Sequence, residues 1–270
     1  MNARSIPILL YHHVAPDRDI TPAGFEKQLR FLLDQGYRNV SLSDLVRSVR
    51  QQSPIEGPAF AVTFDDGYLD NWTYAFPVLR KLSVKATLFL VTGLVEHHQA
   101  PRRATEPVDT HSHEREPGGF LSWVEAKEMA GSALISFGSH THTHRHFVRR
   151  DPYQNLEEEL RQSKSLLEKE MGQPCDHLSW PWGDYESEWL PLVERLCFRS
   201  ALTVRYGANV PGTSPYALKR LSVRRESPRW LNSHLIWNRW SLSTDAYGLF
   251  YGMDRRCKVW WNKETPYSHG

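Results

Sequence analysis

The chain has little cysteine: 3 in 270 residues, Cys175, Cys197 and Cys257, far apart and with no CxxC pair. That excludes a disulfide framework or a zinc knuckle and reads as ordinary thiols in a reducing compartment. It also lacks an excess of one charge. A count of 33 Lys and Arg against 31 Asp and Glu leaves a formal net charge of +2, so nothing global points to nucleic acid. No apolar run is long enough to span a bilayer. The N-terminal stretch Ile6-Pro7-Ile8-Leu9-Leu10 is interrupted by Tyr11, His12 and His13. It is too short for the apolar core of a secretory signal, and no small-residue cleavage site follows. The expected location is cytoplasmic, with the inner face of the membrane as the alternative. Internal repeats and low-complexity tracts are absent as well.

What remains is the composition of one larger globular domain, 40% hydrophobic and 24% charged, with enough chain to bury a sizeable core. Short apolar or β-branched runs at residues 6–11, 59–64, 86–91, 134–137, 177–180, 198–203 and 218–223 predict strands. Helical periodicity separates most of them. Phe25, Leu29 and Leu32 repeat on one face before Gly36. Ser122-Trp123-Val124-Glu125 has the form of a capping box opening a helix to Ala130. Asp151-Pro152 starts another, with Leu156, Leu160, Ser163 and Leu167 on one side until Gly172. This alternation predicts a distorted (β/α) barrel of about seven parallel strands.

Two segments break the rhythm. Residues 96–119 are rich in Pro, His, Arg and Glu and predict a long surface loop. From about residue 227 to 270, Trp230, Trp237, Trp240, Trp260 and Trp261 are interleaved with arginines and Lys258. The expected organisation is a catalytic barrel over 1–226 and a C-terminal extension over 227–270. Packing on the barrel is the default for that extension; dimerisation and peripheral membrane contact are the alternatives.

Polar residues gather where the predicted strands end: His12-His13, Asp65-Asp66-Gly67, Ser139-His140 and Pro181-Trp182-Gly183. In a parallel barrel those ends share one face, where active sites are built. Two adjacent carboxylates after an apolar strand repel each other unless a cation or donor compensates. Side chains alternate along a strand, so both reach one site only where the backbone turns, which Gly67 permits. A helix cap plus a turn would explain one of the aspartates but not both. The segment from Ser139 to His146 carries four alternating histidines. Extended, it would put all four on one face; on a helical turn, only His140 with His144 or His142 with His146 would pair. Two imidazoles and one carboxylate make a zinc-type set with a position left for water, whereas an exposed histidine-rich loop is the bland alternative.

Thr63-Phe64-Asp65-Asp66-Gly67 resembles the first motif of the polysaccharide deacetylases, carbohydrate esterase family four. His140-Thr141-His142-Thr143-His144 resembles their second, His-Ser/Thr-x-x-His, and the likeness covers roughly residues 6 to 225. The resemblance implies Asp66, His140 and His144 as ligands of a divalent metal, Zn2+ first with Co2+ or Ni2+ as alternatives, and Asp65 as the base. His142 and His146 fall at non-ligand positions.

The family's third motif, Arg-x-Pro-Tyr, appears as Ser179-Trp180-Pro181-Trp182. Pro181 matches, and the backbone N–H of Trp182 inherits the oxyanion role. The arginine that orients the base is missing, and Arg220 is the candidate replacement. The late Leu-x-His acid is missing too. The segment from Ile8 to Val14 resembles the start of the poly-N-acetylglucosamine deacetylases, and by that likeness His12 is the acid. A strand-end histidine with a structural hydrogen bond is the competing reading.

The implied reaction is metal-dependent removal of an N-acetyl group from an amino-sugar glycan, with acetate released. Trp182 is expected to line the glycan cleft, with Trp72, Trp180 and Trp189 as further candidates. The alternatives are hydrolysis of a small amide or formyl group on the same fold, and a catalytically impaired carbohydrate-binding protein.

Overall fold

The computed structural model describes residues 5–53, 55–102, 119–147 and 153–238. Eight strands run through them: β1 (Ile8–Tyr11), β2 (Arg38–Asn39), β3 (Ala59–Phe64), β4 (Ala86–Leu90), β5 (Ile135–Ser139), β6 (His177–Ser179), β7 (Ser200–Leu202) and β8 (Leu221–Ser222). The helices are α1 (Pro22–Asp34), α2 (Leu42–Val49), α3 (Phe76–Leu82), α4 (Trp123–Gly131), α5 (Tyr153–Met171), α6 (Leu190–Arg195) and α7 (Pro228–Asn238).

Seven strands lie in the order β7-β6-β5-β4-β3-β1-β8, every ladder parallel, and β2 pairs with the start of β3. The two ends of the sheet meet at a single bridge, Leu202 with Leu218. The result is the expected distorted (β/α) barrel, with its seam beside β7 and β8.

β1, β3 and β4 are buried along their whole length, as strands covered on both faces must be. α2 packs Leu42, Leu45, Val46 and Val49 against Ile8, Ala59 and Ala61, so it covers the end where the strands begin. The opposite end, where the strands finish, stays open for chemistry.

Local signals explain most of the helix ends. Ser122 and Glu125 form the predicted capping box of α4. The Glu125 carboxylate also receives the Arg102 guanidinium at 2.8 Å, which ties the loop that follows Glu96 to the helix. Residues 103–118 of that loop, the Asp151-Pro152 helix start and residues 239–270 lie outside the described residues.

Five strand expectations shrink, β1, β4 and β6 at one end and β7 and β8 at both. β6 to β8 are two or three residues long because they flank the seam, where ladder partners are few. Phe198 is not a strand residue at all, since its amide is bonded to Val193 O at the end of α6. β2, two polar residues, has no apolar pattern to announce it.

α7 begins just past residue 226 and is part of the core. Leu231 and Leu235 are buried in the main hydrophobic cluster, and the Tyr206 hydroxyl donates to His234 O. No helix of the described residues is long and apolar enough to cross a membrane. Leu231→Ala should destabilise the fold by about 2–5 kcal/mol in denaturant unfolding, as expected for a core leucine. A loss below about 1 kcal/mol would show that α7 is peripheral.

Candidate active site

Alternation along β3 places Thr63 and Asp65 on the barrel interior, and Asp65 is almost fully buried. Asp66 should then point away. It does not, because Asp66 itself adopts a left-handed backbone (φ 73°), followed by Gly67 at φ 77°. A Cβ on Gly67 would lie 2.6 Å from the Leu90 side chain, so only glycine fits there. The turn expected at Gly67 begins one residue earlier and brings both carboxylates to one cavity.

Asp65 is gripped by Arg220, which is itself fully buried. Nη1 donates to Oδ1 at 2.8 Å and Nη2 to Oδ2 at 2.7 Å. Nη2 also donates to Ser179 Oγ at 2.8 Å, and Ser179 Oγ donates to Asp65 Oδ2 at 3.1 Å. Nε is taken up by Thr203 O at 2.8 Å. Ser179, which stands where the resemblance expects arginine, therefore remains in the network, while the guanidinium arrives from just before β8. Burial resists ionisation of Asp65, but Arg220 and then His140 outweigh it and hold its pKa below the usual carboxylate range.

The histidines divide two and two. His140 continues β5 with its amide on Leu90 O at 2.8 Å, and its Nδ1 donates to Ser179 O at 2.8 Å. That bond turns Nε2 toward Asp66 and fixes the tautomer. Thr141 and His144 both have left-handed backbones (φ 66° and 57°), which curl the loop so that His144 returns beside His140. The Glu159 carboxylate of α5 pins this curl, accepting from the amides of His142 and Thr143 at 3.0 and 2.8 Å and from the Thr143 hydroxyl at 2.7 Å. His142 is turned away to Thr92 and Gln162. His146 stacks on Trp182, with ring centroids 4.5 Å apart.

Asp66 Oδ1 lies 3.3 Å from His140 Nε2 and 3.4 Å from His144 Nε2, and the three ligand atoms all fall within 4.8 Å of one another. For metal–ligand bonds of about 2.0–2.1 Å, the edge of a tetrahedron is about 3.3–3.4 Å. The donor set and its spacing therefore fit a divalent ion of the zinc type, with a tetrahedral position left over. Burial, helped by neighbouring His140, pushes His144 down to about 4, so it offers a free lone pair at neutral pH. Burial also opposes charge on His140, but Asp65 and Asp66 outweigh it and lift the pKa above the ordinary imidazole value. Asp66 is held well below the usual carboxylate range; its burial is overcome by His140, His12 and His144.

The cavity over these groups has a volume of about 450 Å³. His12 opens onto it from the end of β1 and is reached by solvent from that side. Protein packed around its ring lowers its pKa against the pull of Asp66 and Asp65. Trp182 stands at the rim, 49% exposed. It follows Pro181 with φ 62°, and the hydrogen bonds of this turn come from Gly183 and Asp184, not from the Trp182 amide. Of the four candidate tryptophans Trp182 alone lines this cavity, while Trp72, Trp180 and Trp189 are buried in the core.

The sequence profile described as polysaccharide deacetylase matches residues 53–201, from before β3 to within β7. The chain belongs to the polysaccharide deacetylase family.

Among relatives of this deacetylase, YxkH of Bacillus subtilis (strain 168), provisionally named a polysaccharide deacetylase, is 29% identical over 81% of this chain and 71% of its own. The poly-β-1,6-N-acetyl-D-glucosamine N-deacetylase of Staphylococcus aureus (strain MRSA252) is 21% identical over 82% of this chain and 71% of its own. The enzyme of that name from Escherichia coli (strain K12) is 28% identical over 45% of this chain but only 17% of its own length.

In structure, the deacetylase PplD of Streptococcus pyogenes, solved with acetate, matches with TM-score 0.73 and 25% identity, covering 87% of this chain and 99% of that one. IcaB of Ammonifex degensii shares the fold with TM-score 0.75 at 24% identity, over 86% and 97% of the two chains.

Because the pKa of His140 lies above the ordinary imidazole value, an ion taken up at its Nε2 would have to displace a proton. Zinc affinity should rise with pH until His140 titrates, and binding near pH 7 should release protons. Calorimetry in buffers of different ionisation enthalpy measures this. Heats that are independent of the buffer would contradict the assignment of His140 as a ligand.

Proposed function

We propose that this polysaccharide deacetylase hydrolyses the N-acetyl group of an N-acetylated amino sugar in a glycan, yielding acetate and the free amine. The observation that carries the reading is the division of labour at one strand end: Asp65 is held by Arg220, while the adjacent Asp66 faces two imidazoles at tetrahedral spacing. The substrate class follows the relatives named poly-β-1,6-N-acetyl-D-glucosamine N-deacetylase.

Asp66, His140 and His144 would hold the metal, with Zn2+ the first choice by donor chemistry and Co2+ or Ni2+ the alternatives. When bound, such an ion acidifies water and polarises a carbonyl oxygen.

Asp65 accepts the proton of the attacking water. Its depressed pKa keeps it ionised at neutral pH, and the bidentate grip of Arg220 fixes which lone pairs face the cavity. The Trp182 N–H, outside the hydrogen bonds of its own turn, donates to the oxyanion that develops on the acetamide. Pro181 fixes the entry to that turn. His12, beside Asp65 and Asp66, donates a proton to the departing amine as the C–N bond breaks. The exposed indole of Trp182 offers a face on which a sugar ring can stack.

The alternative of an impaired binding protein draws on the changed third motif, with Ser179 in place of an arginine, and on the missing late histidine, for which His12 stands in. The Arg220–Ser179–Asp65 network supplies a guanidinium at the same carboxylate and so speaks for an active enzyme.

Asp65→Asn should lower kcat for acetate release from N-acetylglucosamine oligomers by about 10²–10⁴-fold while stoichiometric zinc is retained. Near wild-type turnover in that variant would remove Asp65 from the mechanism. Release of formate, or cleavage of small amides alone, would favour the small-amide reading.

A further inference from the structure

A further imidazole, His13, lines the same cavity with a buried carboxylate, Asp70, behind it, and the hydrolysis derived above does not use this pair. His13 Nδ1 meets Asp70 Oδ2 at 2.6 Å. Asp70 is buried, and its Oδ1 accepts from Asn71 Nδ2 at 2.7 Å. The same Asn71 amide donates to His12 O at 2.9 Å, and the Val14 backbone also bonds to the Asp70 carboxylate. Asp70 is thus anchored to the segment whose imidazole it orients.

The face of the His13 ring lies on Tyr68, with centroids 3.8 Å apart and planes at 24°. Tyr68 stacks in turn on Phe120 at 5.3 Å and 23°. All three rings line the cavity.

One edge and one face of His13 are therefore committed, which leaves Nε2. It has no protein partner among the described residues and is not among the buried polar atoms left unsatisfied, so it is open to solvent. A carboxylate on Nδ1 keeps the proton there and presents the Nε2 lone pair outward as an acceptor. His12 is an imidazole that lowers the pKa of both Asp65 and Asp66. His13 belongs to the wall beside the reacting atoms.

We propose that His13 is a substrate-binding residue whose Nε2 accepts a hydrogen bond from a glycan hydroxyl. Asp70 acts through it as a positioning residue, and the His13–Tyr68–Phe120 rings form the wall along which that sugar unit lies. The identity of the ligand rests on the deacetylase reading above.

Isosteres separate this role from a structural one. Asparagine at position 13 keeps a polar atom near Nδ1 for Asp70 but none near Nε2; glutamine does the reverse. Binding of a β-1,6-linked N-acetylglucosamine oligomer is measured by calorimetry on the zinc-loaded protein in an Asp65→Asn background. Acetate-release kinetics are measured in the wild-type background.

His13→Asn should weaken binding and raise KM by about three- to tenfold, the scale of one lost neutral hydrogen bond, with kcat nearly unchanged. His13→Gln should stay close to its parent, and Asp70→Asn should follow His13→Asn. Should His13→Asn lower the melting temperature, His13→Leu, which fills the space without an acceptor, takes its place. Equal behaviour of the asparagine and glutamine variants, a loss confined to kcat, or no oligomer binding by the parent protein would overturn the proposal. The expected ranking in binding without acetate release from wild type would sink the deacetylase reading and leave the role of His13 standing. Normal release with a flat ranking would do the opposite.

Discussion

The ion pair between Asp65 and Arg220 is the contact on which the rest of the site depends. Both groups are removed from water, which costs several kcal/mol for each ion before any attraction is counted. The geometry offsets that cost as fully as such a pair can: two parallel N–H···O bonds, Ser179 bridging both partners, and Thr203 O taking the remaining Nε proton. Removing either partner would leave an uncompensated charge in the barrel interior. The pair also joins the end of β3 to the approach to β8, next to the seam where backbone ladders are sparse. It therefore ties the seam, where pairing is sparse, to the strand that carries Asp65 at its end.

Once Asp65 is fixed, Asp66 must do something different one residue later, and the backbone makes that happen. Asp66, Thr141, His144 and Trp182 all take left-handed conformations that side chains other than glycine rarely adopt. Each sits in a loop at the open end of the barrel. Strain of this kind persists only where surroundings over-determine it. Here the surroundings are visible: Leu90 closes on Gly67, and Glu159 ties down His142 and Thr143. The rigid sheet thus holds a set of turns that present unlike functions from neighbouring positions.

Much of this was legible in the sequence because it is carried by strongly patterned pieces. The apolar runs of β1, β3 and β4 are continuous, and the strand-end placement of Asp65-Asp66 and of His140 follows from where the runs before them stop. Spacing leaves His140 with His144 and His142 with His146 as equal pairs, and likeness to the known motif chooses the first. What escaped notice depends on partners distant in the chain. Glu159 lies on α5 next to the apolar stripe, and nothing local distinguishes its carboxylate from those of the glutamates around it. Arg220 is a candidate from the sequence, but nothing local shows that Ser179 bridges it to Asp65 across the barrel. Two-residue β2 carries no periodicity. Among the tryptophans, motif position marks Trp182 for the rim, but composition cannot say that Trp180 lies in the core.

The central claim is that one carboxylate and two imidazoles converge on a single cation. X-ray absorption at the zinc edge of the zinc-loaded protein tests it most directly. The account predicts a first shell of nitrogen and oxygen at about 2.0–2.1 Å, with the outer-shell signature of two imidazole rings. A shell containing sulfur, or one with a single imidazole, would contradict it.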